Sequence, residues 1–524
     1  LTTKCGTLTP ILADEVIPNE TVNLKLDLSA SLPPLASDTF MRVDLKAEAF
    51  FVPYRLCYGG YEKWLTGEKV KTSQTGNAVD VLFPVLKMPQ NTQVQAGSLS
   101  DYLGYRAVSG TTWSNGLVNP LPYIAYHRIY DDWYRNSLIQ NPAFYPICPN
   151  SASMNANSAG KWNAGSLPTF TYLNYTGASG YNIITAGSSY STLGDGVDLT
   201  ALRQRNFGMD YFTTATPNPQ NGEAQKVSFT VDSGTSSGSY TIAALRAANS
   251  MQLFLERNNL AGNRMVDYVK AHYGADLKDG VAQRPLLLGS ASFNVYSKGI
   301  YQTANQAEIA GAGANPFSQS VGAEFGKAYA SGSDFIIKGF TAAEPGIIMV
   351  LVSLVPRVTY STGINRMLKR YIGFAGNGQN GIVDLANPLL QNTGNQPIYS
   401  YELTGLHSDT GVFGYTDRFA DWKTCEDELH GLLRDKESLE SFALQRSFDT
   451  SALTVNSSFL TIPTTYMDQV AAVQDSISDY GVWIDSYLDY KVSMPLARYA
   501  IPSLQDPAYE HGDSVHIERA GTHL

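Results

Sequence analysis

The sequence predicts a mainly β protein, a sandwich or jelly roll interrupted by long loops and helices. Short segments alternate apolar and polar residues with a period of two. Stretches rich in Gly, Ser, Asn and Pro separate them, and strand and helix do not alternate regularly as a parallel sheet requires.

The elements follow in order. From Thr21 to Leu28, Val22, Leu24, Leu26 and Leu28 alternate with Asn23, Lys25 and Asp27, so one face points to a core and the other to polar surroundings. Ser29 to Ser37 holds Pro33-Pro34 and reads as a turn. Val43, Leu45, Ala47 and Ala49 alternate with Arg42, Asp44, Lys46 and Glu48, and Phe50 to Val52 extends that strand to Pro53. Helical spacing predicts helices over Tyr54 to Thr66, Pro122 to Ser137, Thr241 to Asn258 and Asn263 to His272, with Gly274 terminating the last. In the third, Leu245, Ala248, Gln252 and Leu255 mark one face. Val227, Phe229 and Val231 alternate as a further strand, and Ile347 to Val355 reads as a strand buried on both faces. The stretches from Asn150 to Thr200 and from Gly311 to Gly332 hold too few apolar anchors for a core and read as surface loops.

Composition narrows the function. At 524 residues the chain exceeds roughly 150 residues per domain, but all-β units often run longer. Residues 1–524 therefore read as one domain, with a surface-exposed insertion over 144–200 and a helical insertion over 241–274. Charged residues make up 16%, below the ~25% usual for soluble domains, which suits a surface buried against neighbours. Net charge is -10, so any contact with nucleic acid must be local, and a more basic molecule must supply most of the phosphate neutralisation. The four cysteines Cys5, Cys57, Cys148 and Cys425 are far apart, without zinc spacing, and read as buried or partly buried thiols. No run of about 18 apolar residues occurs, so no membrane span is expected.

Catalytic and metal patterns are weak. Asp131-Asp132 and the run Asp421, Glu426, Asp427, Glu428 supply carboxylates, but nothing places two across a cleft. They read as an acidic surface, and no enzymatic role is expected. His511 and His516 lie near Glu510, Asp513 and Glu518, and Asp195 and Asp198 resemble a fragment of a calcium loop without its bidentate Glu. No metal or cofactor is expected. Arg366, Lys369 and Arg370 lie beside Tyr371 and Phe374, pairing charge for phosphates with flat faces for bases, as single-stranded DNA requires. Arg366, Lys369, Arg370 and Tyr371 are the candidate nucleic-acid residues, a helix-end cap or inter-subunit salt bridge being the alternative. Arg203 and Arg205 form a weaker pair of the same kind. The 32 Tyr and 6 Trp also suggest a secreted carbohydrate-binding module, and a glycoside hydrolase is a weaker possibility.

Several blocks resemble the major capsid proteins of the Microviridae, nearest the gokushovirus-like branch. They include CGTLTPILADEVIPNETVNLKL (Cys5 to Leu26), FFVPYRL (Phe50 to Leu56), PLPYIAYHRIYDDWYRN (Pro120 to Asn136) and RQRNFGMDYFTTATPNPQ (Arg203 to Gln220). LRAANSMQLFLERNNLAGNRMVDYVKAHYG (Leu245 to Gly274), EPGIIMVLVSLVPRVTYSTGINRM (Glu344 to Met367) and GVFGYTDRFADWK (Gly411 to Lys423) continue in family order. The interval from Pro219 to Ile242 is short where gokushoviruses carry a protrusion, whereas Phe144 to Thr200 is long. The resemblance implies an eight-stranded antiparallel jelly roll with long loop and helical insertions. It implies a virion protein, assembled in the host bacterial cytoplasm into an icosahedral shell around single-stranded DNA. Implied partners are further copies of itself, the genome, a small basic DNA-binding protein and a receptor on the bacterial surface.

Overall fold

The structure is a computed structural model that describes residues 1–58, 61–66, 69–71, 78–80, 83–87, 94–105, 117–140, 169–175, 181–185, 201–221, 242–261, 265–276, 278–302, 324–369, 395–407, 411–449, 453–494 and 515–521. The principal sheet comprises β1 (Thr2–Thr3), β2 (Thr9–Val16), β3 (Thr21–Ser31), β4 (Val43–Pro53), β5 (Leu286–Gln302), β6 (Glu324–Thr341), β7 (Gly346–Pro356), β8 (Val482–Met494) and β9 (Val515–Gly521). Eight of these follow the path β1-β8-β3-β6-β5-β4-β7-β2, and β9 joins β8. All pairings among them are antiparallel. This is the expected eight-stranded antiparallel, barrel-like sheet.

Closure comes from the N-terminal segment. The ends of the path, β1 and β2, are consecutive in the chain, and Cys5 between them bridges to Leu354 of β7. The first sixteen residues thus clasp both edges, which leaves fewer unpaired backbone groups at the seam. Two long strands turn the corners. β5 pairs with β4 over Leu286 to Val295, then with β6 from Tyr296. β6 in turn pairs with β3 from Tyr329 to Thr341. Register shifts fall at Ser297/Ile300 and Ile337/Phe340, where Gly299 and Gly339 adopt positive φ, so the bulges that bend these strands use residues without a Cβ penalty.

Period-two alternation divides the side chains of β7 between two cores. Ile348, Val350, Val352 and Leu354 join the barrel interior with Leu24, Leu26, Leu45, Ala47 and Ile484. Ile347, Met349 and Leu351 point the other way, into a second cluster with Phe50 and Val52 of β4. That cluster is completed by helix α1 (Leu121–Ile129) through Tyr123, Ile124, Tyr126 and Ile129. β7 is therefore buried on both faces, as its apolar run predicts. A third cluster, built on Tyr211, Phe212, Tyr360, Ile398, Phe413 and Phe459, holds together the segments outside the barrel.

Several expectations are corrected. The stretch from Tyr54 to Thr66 forms two short helices, Tyr54–Cys57 and Tyr61–Thr66, because Tyr58 takes an extended conformation before Gly59-Gly60. The Pro122 to Ser137 element is α1 followed by a π-helical turn, Tyr130–Tyr134. Strand β3 runs on to Ser31, into the expected turn. The Gly-rich stretch to Gly332 is β6 from Glu324 onward, not a loop. Its small residues reflect close approach: a Cβ on Gly326 would lie 2.2 Å from Ser37 O, and one on Gly332 2.2 Å from the Phe293 ring. Within 144–200, the described residues form a hairpin, Thr169–Tyr175 and Tyr181–Thr185, that pairs with Phe83–Lys87 in a separate four-stranded sheet. The two expected helices near residue 250 are α2 (Ile242–Ala261) and α3 (Met265–Tyr273). The expected Val227 to Val231 strand lies outside the described residues. Cys5 and Cys57 are buried, Cys425 is exposed, and Cys148 lies outside the described residues.

Gly289 tests the closeness of the layers, since a Cβ there would lie 2.1 Å from Ile336 O. Gly289→Ala and Gly326→Ala are each expected to cost about 1–3 kcal/mol in chemical denaturation. Gly280→Ala, with nothing within 4 Å of the added carbon, is the control and should leave the midpoint unchanged.

Candidate nucleic-acid segment and capsid relatives

Of the candidate cations, Arg366 and Lys369 lie on a short 3-10 helix, Arg366–Lys369. Arg366 turns inward. Its Nη1 donates to Pro397 O (2.7 Å) and lies 3.7 Å from Glu402 Oε1, while Nε is 3.9 Å from Asp421 Oδ2. The guanidinium also sits 5.1 Å from the centre of the Tyr399 ring. Glu402 is held in turn by Tyr399 N (2.8 Å) and by the Tyr211 hydroxyl (3.1 Å). With a side chain only 12% exposed, Arg366 is engaged within its own subunit, by contacts that are neither a helix-end cap nor an inter-subunit salt bridge. Lys369 is half-buried, its Nζ 5.6 Å from the Tyr401 ring centre. Arg370, Tyr371 and Phe374 lie outside the described residues.

The weaker Arg pair is structural too. Arg205 Nη1 donates to Glu48 Oε2 (2.6 Å), which also accepts from the Tyr134 hydroxyl (2.5 Å). Arg203 Nε contacts His127 Nδ1 (3.1 Å), and its backbone N donates to the Tyr126 hydroxyl (2.7 Å). Together these contacts tie the 203–207 segment and α1 onto the barrel. Glu48 was legible only as a polar position on a strand, because its partners lie 86 and 157 residues away.

The carboxylates disperse rather than converge. Asp131 pairs with Arg135 (3.0 Å) and Asp132 with Arg128 (2.8 Å) one helical turn apart. Asp427 pairs with Arg42 (2.7 Å), and Asp421 accepts from Gln396 (2.9 Å). Among the described residues no cluster of three His, Cys, Asp or Glu is arranged to hold a metal. His516 lies on β9 opposite Ser493, while His511, Asp195 and Asp198 lie outside the described residues.

Two buried features escaped the sequence reading. Arg446 donates to Phe459 O (2.7 Å) and lies among Phe459, Phe207 and Phe448, at 4.1, 4.4 and 5.2 Å from the ring centres. Nothing in its local sequence marks such an aromatic cage. Glu426 accepts from Tyr211 N (3.0 Å), and Asp210 accepts from Phe212 N, Thr213 N and the Tyr360 hydroxyl (2.9, 2.7 and 2.7 Å). Burial first, and then the Asp210 charge, push the Glu426 carboxyl up to about 7.

With that geometry established, the chain matches the family described as "Capsid protein (F protein)" over residues 1–504. The chain belongs to this phage capsid family. It is 25% identical to the capsid protein VP1 of Bdellovibrio phage phiMH2K over 529 residues, covering 96% of this chain and 93% of that one. It is 25% identical to VP1 of Chlamydia phage 1 (95% and 93% covered) and 24% identical to VP1 of Spiroplasma virus 4 (95% and 92% covered). The chain is thus a structural capsid protein of the Microviridae, a virion component that self-assembles into a shell. No helix among the described residues is long and apolar enough to cross a membrane.

Three outcomes follow from these charges. Arg366→Gln removes the guanidinium beside Glu402 and Asp421 in a low-dielectric setting and is expected to destabilise the subunit by about 3–5 kcal/mol. Lys369→Gln should shift the denaturation midpoint by less than about 0.5 kcal/mol. For Glu426, a folded-state pKa raised from 4.5 to about 7 means that the native state holds the extra proton in this interval. Its stabilising contribution is complete below pH 4.5 and is lost as pH rises through 7. Urea midpoints should therefore fall between pH 5 and pH 8, and Glu426→Gln should flatten that fall.

Proposed function

We propose that this chain is the major subunit of an icosahedral shell around the single-stranded DNA genome of a tailless bacteriophage, with no enzymatic role. Membership of the capsid family over nearly the whole chain carries this reading. The antiparallel barrel-like sheet, with long segments outside it, supports the mechanism: a rigid body presents loops to neighbouring copies, and symmetry closes the array. Assembly takes place in the host cytoplasm. The carbohydrate-binding alternative loses its motive, because much of the aromatic content is core: Tyr58, Tyr123, Tyr126 and Tyr401 are fully buried.

The genome contact we propose is interior, weak per subunit and independent of sequence. Lys369, Arg370 and Tyr371 supply it, with Arg366 anchoring their segment. Many copies, each offering a few cations, gain by multivalency. A net charge of -10 leaves the remaining phosphate charge to a small basic protein. For Asn150 to Thr200 we propose a place on the particle exterior and a contribution to host recognition, since Gly, Ser, Asn and Tyr provide an adaptable recognition surface.

Electron microscopy of the purified chain tests the shell reading: uniform closed particles are expected, and monomers that persist at micromolar concentration in sedimentation would overturn it. In phage particles, Lys369→Gln with Arg370→Gln is expected to lower packaged DNA while shells still form. Deleting Ser151 to Gly194 is expected to preserve shells and abolish adsorption to host cells. Normal packaging in the first variant removes the DNA role, and loss of shells in the second makes the insertion structural.

A further inference from the structure

Glu426 joins two segments that are far apart in the chain. Three successive backbone N–H groups of the 210–213 turn are taken by two carboxyl groups. Tyr211 N donates to Glu426 Oε1 (3.0 Å), while Phe212 N and Thr213 N donate to Asp210 Oδ1 (2.9 and 2.7 Å). The two acids are thereby held as neighbours. Asp210 has a further donor in the Tyr360 hydroxyl (2.7 Å). Burial, and then the Asp210 charge, raise that phenol well above its ordinary range, so it remains a donor at neutral pH. Glu426 faces like charge instead: Asp210 from the turn and Asp427 from its own segment both oppose its ionisation. The surrounding cations are directed elsewhere. Arg42 pairs with Asp427 (2.7 Å), His430 lies 3.5 Å from Glu428, and Arg446 sits among aromatic rings, 6.0 Å from the centre of Tyr360.

The backbone is pinned on either side of Glu426. Before it, Thr424 N and Oγ1 both donate to Ala420 O (3.0 and 2.8 Å). After it, Tyr360 N donates to Asp427 O (2.9 Å) and Leu429 N to Tyr360 O (3.0 Å). Cys425 and Glu426 lie between these pins, and the Glu426 side chain ties them to the turn.

We propose that the 425–426 stretch is a pH-operated latch, shut on the 210–213 turn while Glu426 is protonated and released when it ionises. A neutral carboxyl group keeps its oxygen on Tyr211 N beside the Asp210 carboxylate. An ionised one sets two like charges together in a half-buried site, where water screens their repulsion poorly. Release carries the new charge into solvent, while Asp210 keeps its three donors and the turn persists. The sign follows from linkage. The shut latch holds its proton up to about pH 7, and the released side chain has the ordinary value of 4.5. The ratio of released to shut latch is therefore constant below pH 4.5, rises up to roughly tenfold per pH unit between 4.5 and 7, and levels off above 7. Such local opening is separate from global unfolding and is read at particular amides of the folded chain.

Hydrogen exchange of the full-length chain at pH 5 and pH 7.5 tests the latch. It is read by mass spectrometry over peptides spanning 208–214 and 424–429, after correction for the intrinsic pH dependence of exchange. Wild-type protection in these peptides is expected to fall at least tenfold from the lower to the higher pH, while peptides from β7 stay protected throughout. Glu426→Gln, whose amide oxygen still accepts from Tyr211 N but cannot ionise, should change less than twofold. Asp210→Asn keeps an oxygen for Phe212 N and Thr213 N, removes the like charge, and should shift the fall to lower pH. Equal wild-type protection at both pH values, or an undiminished fall in Glu426→Gln, overturns the inference. Should Glu426→Gln fail to fold, Asp210→Asn decides: a fall left at the wild-type pH overturns it.

Discussion

Strand β7 has no face turned to water, and the rest of the architecture depends on that. Ile348, Val350, Val352 and Leu354 fill the barrel, while Ile347, Met349 and Leu351 fill the layer beneath α1. The barrel and its helical cover thus share one backbone. Separating them would expose both sets of side chains, at roughly 25 cal/mol for each Å² of apolar surface. β7 also carries β2 on one edge and β4 on the other, so the N-terminal clasp closes against the most deeply buried strand of the sheet.

Such layering places charge where it must be matched internally. Glu48 leaves the polar face of β4 just where α1 begins to cover it, and there it meets Arg205 and Tyr134. Arg366 and Arg446 are enclosed in the third cluster, one near carboxylates and one among aromatic rings. Few charged residues are present, and several of them act inside the subunit. The outer surface is left weakly charged and partly apolar, as suits a subunit that meets copies of itself.

Much of the fold was legible because its cause is local. Period-two alternation marked β3 and β4, the unbroken apolar run marked β7, and 3–4 spacing marked α2. Glycine misled the reading twice. At Gly326 and Gly332 it predicts a loop, although close contact with Ser37 and Phe293 is what excludes a side chain there. The candidate site was legible only as a cluster of cations. Which way Arg366 points depends on Pro397, Glu402 and Asp421, which are 31–55 residues further along the chain.

The sequence by itself determined the class of the protein: a β-rich, sparsely charged, acidic chain whose ordered blocks resemble one capsid family. Alternation and composition are properties of neighbouring residues, so they survive without coordinates. Only the tertiary structure decided that the N-terminal residues carry both end strands of the sheet, that Arg205 and Arg366 lie beside carboxylates of their own subunit, and that Glu426 lies beside Asp210. Each of these depends on contacts between distant segments or on burial by them. A sequence read locally cannot supply that information, because solvation and pairing are fixed only when the chain has closed on itself.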